Sequence, residues 1–329
     1  MPPHILRQPV SCITRSDLDS VYLFDLCKSK EAAIFFGKED YAQITQFFVQ
    51  FGYTGSMYLA IDIGGTKTLL AVFGEDGKVT EEMKFPTPQD YELFLKGLAT
   101  TVANLSTKDF QRACVAVPGR LDRDLGIALS CGNLGWKNIP IQADIEHFVA
   151  CPAIIENDAK LAGLSEALLV INDFQKVLYV TISTGIGLAL INDGVIDTEL
   201  GDRGGAAIML EHDGELMPWE HFASGKAIVE KYGKRASEIN DPEIWKEISR
   251  NLSVGMLDVI AITEPEVVVI GGGVGTHFAK FGDFLIAEMK KYETPMMAIP
   301  PIRQAKRPEE AVIYGCYELI KIHDAQSSA

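Results

Sequence analysis

Two stretches of this chain follow one plan, and a chain that repeats such a plan has few folds open to it. Residues 62–73 (DIGGTKTLLAVF) lead to an Asp76-Gly77 turn, and residues 181–191 (TISTGIGLALI) lead to an Asp193-Gly194 turn. Each reads as a buried strand, a Gly/Thr loop, a returning strand and a tight Asp-Gly turn, because β-branched apolar runs interrupted by glycine are hairpin chemistry. A repeated unit of this length points to duplicated α/β lobes that face each other across a central cleft.

The remaining pattern fits that reading. Strands are predicted at Tyr58–Ile63, Thr68–Phe73, Ala113–Val117, Ala153–Ile155, Val177–Ile182, Leu188–Ile191 and Glu266–Ile270. Apolar residues at helical spacing predict helices over Tyr91–Leu105, Asp158–Leu168, 221–232 and 241–263, from the glycine run to about Lys291, and after Ala311. The expected organisation is an N-terminal extension over 1–56, a smaller α/β lobe over 57–168 completed by a C-terminal helix over 311–329, and a larger α/β lobe over 169–310. The extension is rich in aromatics, and its Ser16–Phe51 stretch has room for two short helices and an extended piece.

A formal net charge of −15 and a pI near 4.9 exclude a general nucleic-acid surface, which needs a basic stripe. They do not exclude nucleotides, since phosphate sites rest on local backbone N–H groups and metal. No apolar run reaches transmembrane length and the N-terminus lacks a signal-peptide pattern, so a cytoplasmic protein without membrane partners is expected. The six cysteines form no CxxC cluster, which argues against a disulfide framework or structural zinc and for buried, inert thiols.

The glycine loops carry the chemistry. Gly64 and Gly65 let the backbone approach phosphate oxygens, Thr66 adds a hydroxyl, and Asp62 at the strand end is placed to hold Mg²⁺ through water. Ser183, Thr184 and Gly185 offer the same combination in the second loop. Gly271, Gly272 and Gly273 follow a β-branched strand and open a helix, which suits a glycine face against the adenosine of a nucleotide. Asp158, in the run Glu156 to Ala159 (ENDA), stands at a strand-to-helix junction. There it reads either as a helix N-cap or as a general base for in-line phosphoryl transfer to a sugar hydroxyl.

Taken in order, these pieces resemble the ROK sugar-kinase and repressor family, within the actin-like ATPase (ribonuclease H-like) superfold. The matching segments are 62–67 (DIGGTK), 117–119 (VPG), 133–136 (NLGW), 156–159 (ENDA), 183–187 (STGIG), 222–225 (FASG) and 271–273 (GGG). The resemblance implies an ATP-dependent kinase acting on the 6-hydroxyl of a hexose, glucose first, with N-acetylmannosamine or fructose as alternatives and a non-catalytic sugar sensor as the competing class. It implies Asp158 as catalytic base and Asn133, Asn157 and Asp158 as sugar ligands. Gly64, Gly65, Thr66, Lys67, Thr184 and Gly185 would line the ATP phosphates, with Gly272 and Gly273 near the adenosine. Homodimers are frequent in such a family.

Two departures stand out. Many members carry a CxCGxxGCxE zinc segment where this chain has residues 212–220 (HDGELMPWE), so no structural zinc is expected. Their ExGH sugar motif corresponds to residues 199–202 (ELGD), which makes Glu199 and Asp202 the candidates for the anomeric end of the sugar.

Overall fold

The structure, a computed structural model, describes residues 56–308 and 310–327. The features expected within 1–55, Cys12 and Cys27 among them, lie outside the described residues.

Two five-stranded mixed sheets share one topology. In the first, β1 (Tyr58–Ile63), β2 (Lys67–Phe73) and β3 (Val79–Pro86) form an antiparallel meander. Parallel strands β4 (Arg112–Val117) and β7 (Ala153–Asn157) follow beside β1, giving the order β3-β2-β1-β4-β7. In the second, β8 (Lys176–Ile182), β9 (Ile186–Asn192) and β10 (Val195–Ile196) repeat the meander. Strands β13 (Val267–Gly271) and β14 (Ile302–Gln304) repeat the parallel pair, in the order β10-β9-β8-β13-β14. This is the actin-like duplication that the sequence implies.

The strand alternation explains the layers. Leu59, Ile61 and Ile63 face outward onto α1 (Tyr91–Asn104) and α2 (Ile141–Val149). Tyr58, Ala60, Cys114 and Ala116 face inward onto α9 (Ala311–Ser327). In the second sheet Leu178, Val180 and Ile182 face α6 (Pro242–Thr263) and α8 (Phe278–Lys290), while Val177, Tyr179 and Ala189 face α3 (Asp158–Leu168). Helices α3 and α9 pack on each other and form the inner layer between the sheets. Helix α3 is buried on every side from Ala159 to Ala167, so its low amphipathicity is that of a central helix. Small residues permit this. A Cβ at Gly163 would stand 2.6 Å from that of Ala189, and one at Gly187 2.7 Å from that of Ala159.

Local signals missed some elements. The helix expected over 221–232 breaks into α4 (Glu220–Ala223) and α5 (Gly225–Tyr232) because Ser224 caps the second, its hydroxyl accepting from the Ala227 N–H at 3.2 Å. Strand β9 begins at Ile186, two residues earlier than expected, since Ile186 pairs with Ile182. Residues 209–218 form a hairpin, β11 (Met209–His212) and β12 (Glu215–Pro218), turned by Asp213 and Gly214 at φ 52° and 85°. A second small hairpin, β5 (Arg120–Asp122) with β6 (Ile127–Ser130), projects after β4. A short α7 (Gly272–Gly275) opens at the glycine run. Cys114, Cys131, Cys151 and Cys316 are free and buried; burial pushes the Cys131 thiol up to about 12 and Cys151 to about 11, which keeps them unreactive. No helix among the described residues is long and apolar enough to cross a membrane.

Candidate functional site

Asp62 closes β1 on the inward face. Burial raises its pKa to about 7, the Asp158 carboxylate adds to the rise, and Lys67 opposes it. Behind it the chain turns tightly, with the Gly64 N–H donating to the Lys67 carbonyl at 3.0 Å. A Cβ on Gly64 would meet that oxygen at 2.8 Å, so the turn requires glycine. Gly65, Thr66 and Lys67 are exposed at the loop tip, and Gly65 faces open space. The loop therefore presents backbone N–H groups, a hydroxyl and an ammonium outward from the end of a buried strand.

Asp158 begins α3, and its two readings are separated by its neighbour. The cap is Asn157, whose side-chain oxygen accepts from the Lys160 N–H at 3.2 Å while its amide donates to the Gly119 carbonyl at 3.0 Å. Asp158 is left one position inside, with Oδ1 accepting from the Ala159 N–H at 2.8 Å. Burial lifts its pKa to about 6, with Asp202 adding and hydrogen bonds to backbone N–H groups at Ala159 and at its own residue opposing. Asp62 and Asp158 thus form a pair of carboxylates in mutual repulsion, titrating with apparent values near 7 and 6. Such a pair fits a divalent cation held by one or two carboxylates, because the cation relieves the repulsion.

Between pH 4 and 7 the folded chain holds protons on these two carboxylates that the unfolded chain has released. Stability from this source is therefore full below pH 4, falls as pH rises, and levels off above about 7. Asp62→Asn should flatten that fall by on the order of 2 kcal/mol, read by denaturant unfolding at pH 5 and pH 8 without added metal.

The second loop, Ser183 to Gly185, is fixed by a Ser183 N–H to Gly185 carbonyl bond of 2.9 Å, and the Gly225 N–H donates to the Ser183 carbonyl at 2.7 Å. Thr184 is exposed. Parallel pairing sets Gly271 beside Thr181, and a Cβ on Gly272, at φ 78°, would meet the Ile182 carbonyl at 2.6 Å. Gly273 faces open space. The second and third glycine loops are therefore one surface. Glu220, which local sequence did not single out, closes its edge: its carboxylate accepts from the Ile186 N–H at 3.3 Å, and a Cβ on Gly185 would lie 2.6 Å from that oxygen.

The sugar candidates divide. Asn133 is exposed in the 3₁₀ turn Gly132–Leu134, and Glu199 is exposed in the loop after β10, its N–H held by the Asp197 carboxylate at 2.9 Å. Asp202 is enclosed. Both its oxygens receive Arg123, one at 2.8 Å and the other at 3.3 Å, and the Leu121 N–H adds a bond at 3.1 Å. Burial alone would raise its pKa, but Arg123, the Leu121 N–H and Lys160 hold it below the usual carboxylate range.

The same Arg123 makes a two-pronged contact with Glu156, whose carboxylate accepts the Asn157 N–H at 2.6 Å. Lys160, with no exposed side-chain surface, donates to the Asp197 and Leu200 carbonyls at 2.8 and 2.7 Å and lies 3.4 Å from Asp202. The network locks the 197–202 loop, the β5 hairpin and the start of α3 together. Arg123→Met leaves the two enclosed carboxylates with Lys160 as their one remaining neighbouring cation among the described residues. It should cost about 2 kcal/mol, below the usual range for buried pairs because Arg123 is itself 26% exposed. Urea unfolding at pH 7 measures it.

The sequence profile of the ROK family matches residues 58–322. An N-acetylmannosamine kinase of Escherichia coli O127:H6 is 28% identical over 271 residues, spanning 73% of this chain and 92% of that protein. Among solved structures, a ROK family glucokinase from Streptomyces griseus in complex with glucose and AMPPNP superposes with a TM-score of 0.70 at 22% identity, covering 80% of this chain and 99% of that one. An inorganic polyphosphate/ATP-glucomannokinase from Arthrobacter sp. strain KM gives 0.64 at 28% identity, covering 82% of this chain and 100% of its own.

Proposed function

The chain belongs to the ROK family, and from that premise we propose that it is an ATP-dependent sugar kinase of the cytoplasm, transferring the γ-phosphoryl group to the 6-hydroxyl of a hexose. The observation that carries this reading is the release of Asp158 from capping by Asn157. A carboxylate with a pKa of about 6 is ionised at neutral pH and still basic enough to accept a hydroxyl proton in the transition state.

Each residue has a matching role. Asp158 accepts the proton of the attacking hydroxyl. Asn133, Glu199 and the spare N–H of Asn157 hold neighbouring hydroxyls, while Asp202, occupied by Arg123, shapes the loop and acts on Asp158 by its charge. Thr66, Lys67 and Thr184, with the N–H groups of Gly65 and Gly185, receive the phosphates on the turn that Gly64 makes possible, and Gly272 and Gly273 lie under the adenosine. Asp62 would hold Mg²⁺ through water, and that ion supplies neutralisation of phosphate charge.

Glucose is the first substrate candidate. N-acetylmannosamine is the second, favoured by the 28% identity to the Escherichia coli kinase over 271 residues. The test is ADP release from Mg-ATP against glucose, mannose, fructose, N-acetylglucosamine and N-acetylmannosamine. Sugar-dependent turnover supports the kinase, and its rank order names the sugar. Saturable sugar binding by calorimetry without turnover would instead make the chain a sensor.

A further inference from the structure

A short strap, Thr87 to Gln89, links the first glycine loop to the turn that carries Asn133, and no step of the proposed reaction uses it. Its start is fixed on the phosphate side. The Thr87 N–H donates to the Thr66 carbonyl at 3.0 Å, and the buried Thr87 and Thr68 hydroxyls share a hydrogen bond of 2.8 Å. Its end is fixed by α1, which Asp90 caps through the Leu93 N–H at 2.9 Å. Gln89 is exposed between these two anchors. Its carbonyl accepts the Trp136 indole N–H at 2.8 Å, and Trp136 is buried against Tyr91 and Phe94.

The side chain of Gln89 reaches the same turn. With its amide oriented by the acceptors it meets, the NH₂ group donates to the Asn133 carbonyl at 3.1 Å and to the Leu134 carbonyl at 3.3 Å. The turn needs such support. Gly132 and Gly135 flank Asn133 and Leu134 at φ 41° and 71°, and glycine loses more freedom on being fixed than any other residue. The Asn133 side chain has no hydrogen-bond partner among the described residues, so it is aimed by the backbone of its turn. For folding alone, water satisfies carbonyls at an exposed turn nearly as well, and ordering a glutamine side chain costs entropy. What the contact adds is direction, since two donors from one planar group fix the plane of the Asn133 peptide.

We propose that Gln89 is a positioning residue for the acceptor sugar, holding the 132–135 turn in the conformation from which Asn133 meets a sugar hydroxyl. The role given to Asn133 rests on the sugar-kinase reading; the hold of Gln89 on the turn does not. A turn fixed in advance loses less freedom when the sugar arrives, so the effect appears as acceptor affinity. The glutamine amide engages the turn, while the strap meets the glycine loop through Thr87. Nucleotide affinity and the proton transfer at Asp158 therefore stay nearly as they are when the amide is lost.

The test compares Gln89→Met, which keeps the length of the side chain without its donors, with Gln89→Lys, whose ammonium restores donors for both carbonyls. Steady-state kinetics of the full chain with glucose and with N-acetylmannosamine give the first readout. Amide hydrogen exchange over residues 132–136 of the ligand-free chain gives the second. In Gln89→Met the acceptor KM should rise about tenfold, with kcat, the KM for ATP and the unfolding midpoint little changed, because two modest hydrogen bonds are lost. Exchange over 132–136 should quicken by about as much and nowhere else. Gln89→Lys should return both readouts to within about threefold of wild type. Unchanged exchange in Gln89→Met overturns the proposal, and so does a loosened turn with an unchanged acceptor KM. A loss spread equally over acceptor, ATP and unfolding midpoint, or a folded Gln89→Lys no better than Gln89→Met, reduces the residue to a structural one. A wild type that turns over neither sugar counts against the kinase reading instead, and exchange in the ligand-free variants still decides whether Gln89 fixes the turn.

Discussion

Asp158→Asn will abolish sugar-dependent turnover, lowering kcat by about a thousandfold or more while leaving the fold intact. The substitution keeps the shape of the side chain and its acceptor for the Ala159 N–H, and Asn157 still caps α3. What is removed is a carboxylate with a pKa of about 6, and a positioned base of that kind contributes roughly 10²–10⁴ in rate. The pH profile carries the sharper test. In the wild type kcat/KM should fall tenfold per unit below about pH 6, because a protonated Asp158 accepts nothing. A second inflection near pH 7 reports Asp62, and saturating Mg²⁺ should move it down, since a cation favours the ionised form. A flat profile from pH 5 to 8, or a variant within a few fold of wild type, removes Asp158 from the role of base.

What was legible in the sequence was whatever the chain encodes locally. The β1 and β8 hairpins announce themselves by apolar runs broken at Gly64 and Gly185, and the start of α3 by the polar pair Asn157-Asp158, although which of the two caps the helix is settled only in the structure. The ordered motifs carried the family, and the shared sheet order confirms the duplication behind them. The hidden parts are long-range. Arg123 meets Asp202 79 positions away, and nothing near either residue marks the pairing. Glu220 reaches Ile186 from 34 residues along the chain. A charged residue in a loop reads as solvated until the fold encloses it. The same limit applied to α9, whose apolar pattern gave a helix but not the neighbour it would touch.

That neighbour makes Gly315 the most constrained position in the inner layer. A Cβ built there lies 1.9 Å from the Leu161 carbonyl oxygen, 2.5 Å from its carbon and 2.9 Å from its Cα, all backbone atoms that no rotamer change can move. Gly315→Ala must therefore part α9 from α3. Helix α9 holds the first sheet through Ile313, Cys316, Tyr317 and Ile320, while α3 lies against Tyr179 and Ala189 of the second. Separating them opens the layer that joins the sheets, at a cost of about 3 kcal/mol or more. Unfolding should shift down by roughly 6–10 °C in a thermal scan. Gly201→Ala is the control, since its Cβ meets nothing within 4 Å and its φ is ordinary, so its stability should stay within about 1 kcal/mol of wild type. Catalysis should fail with stability at Gly315, because Asp62 stands on the sheet that α9 covers and Asp158 on the helix it would push away. Wild-type stability and kcat/KM in Gly315→Ala would mean that the α3–α9 crossing is looser than its geometry requires and does not set the separation of the two carboxylates.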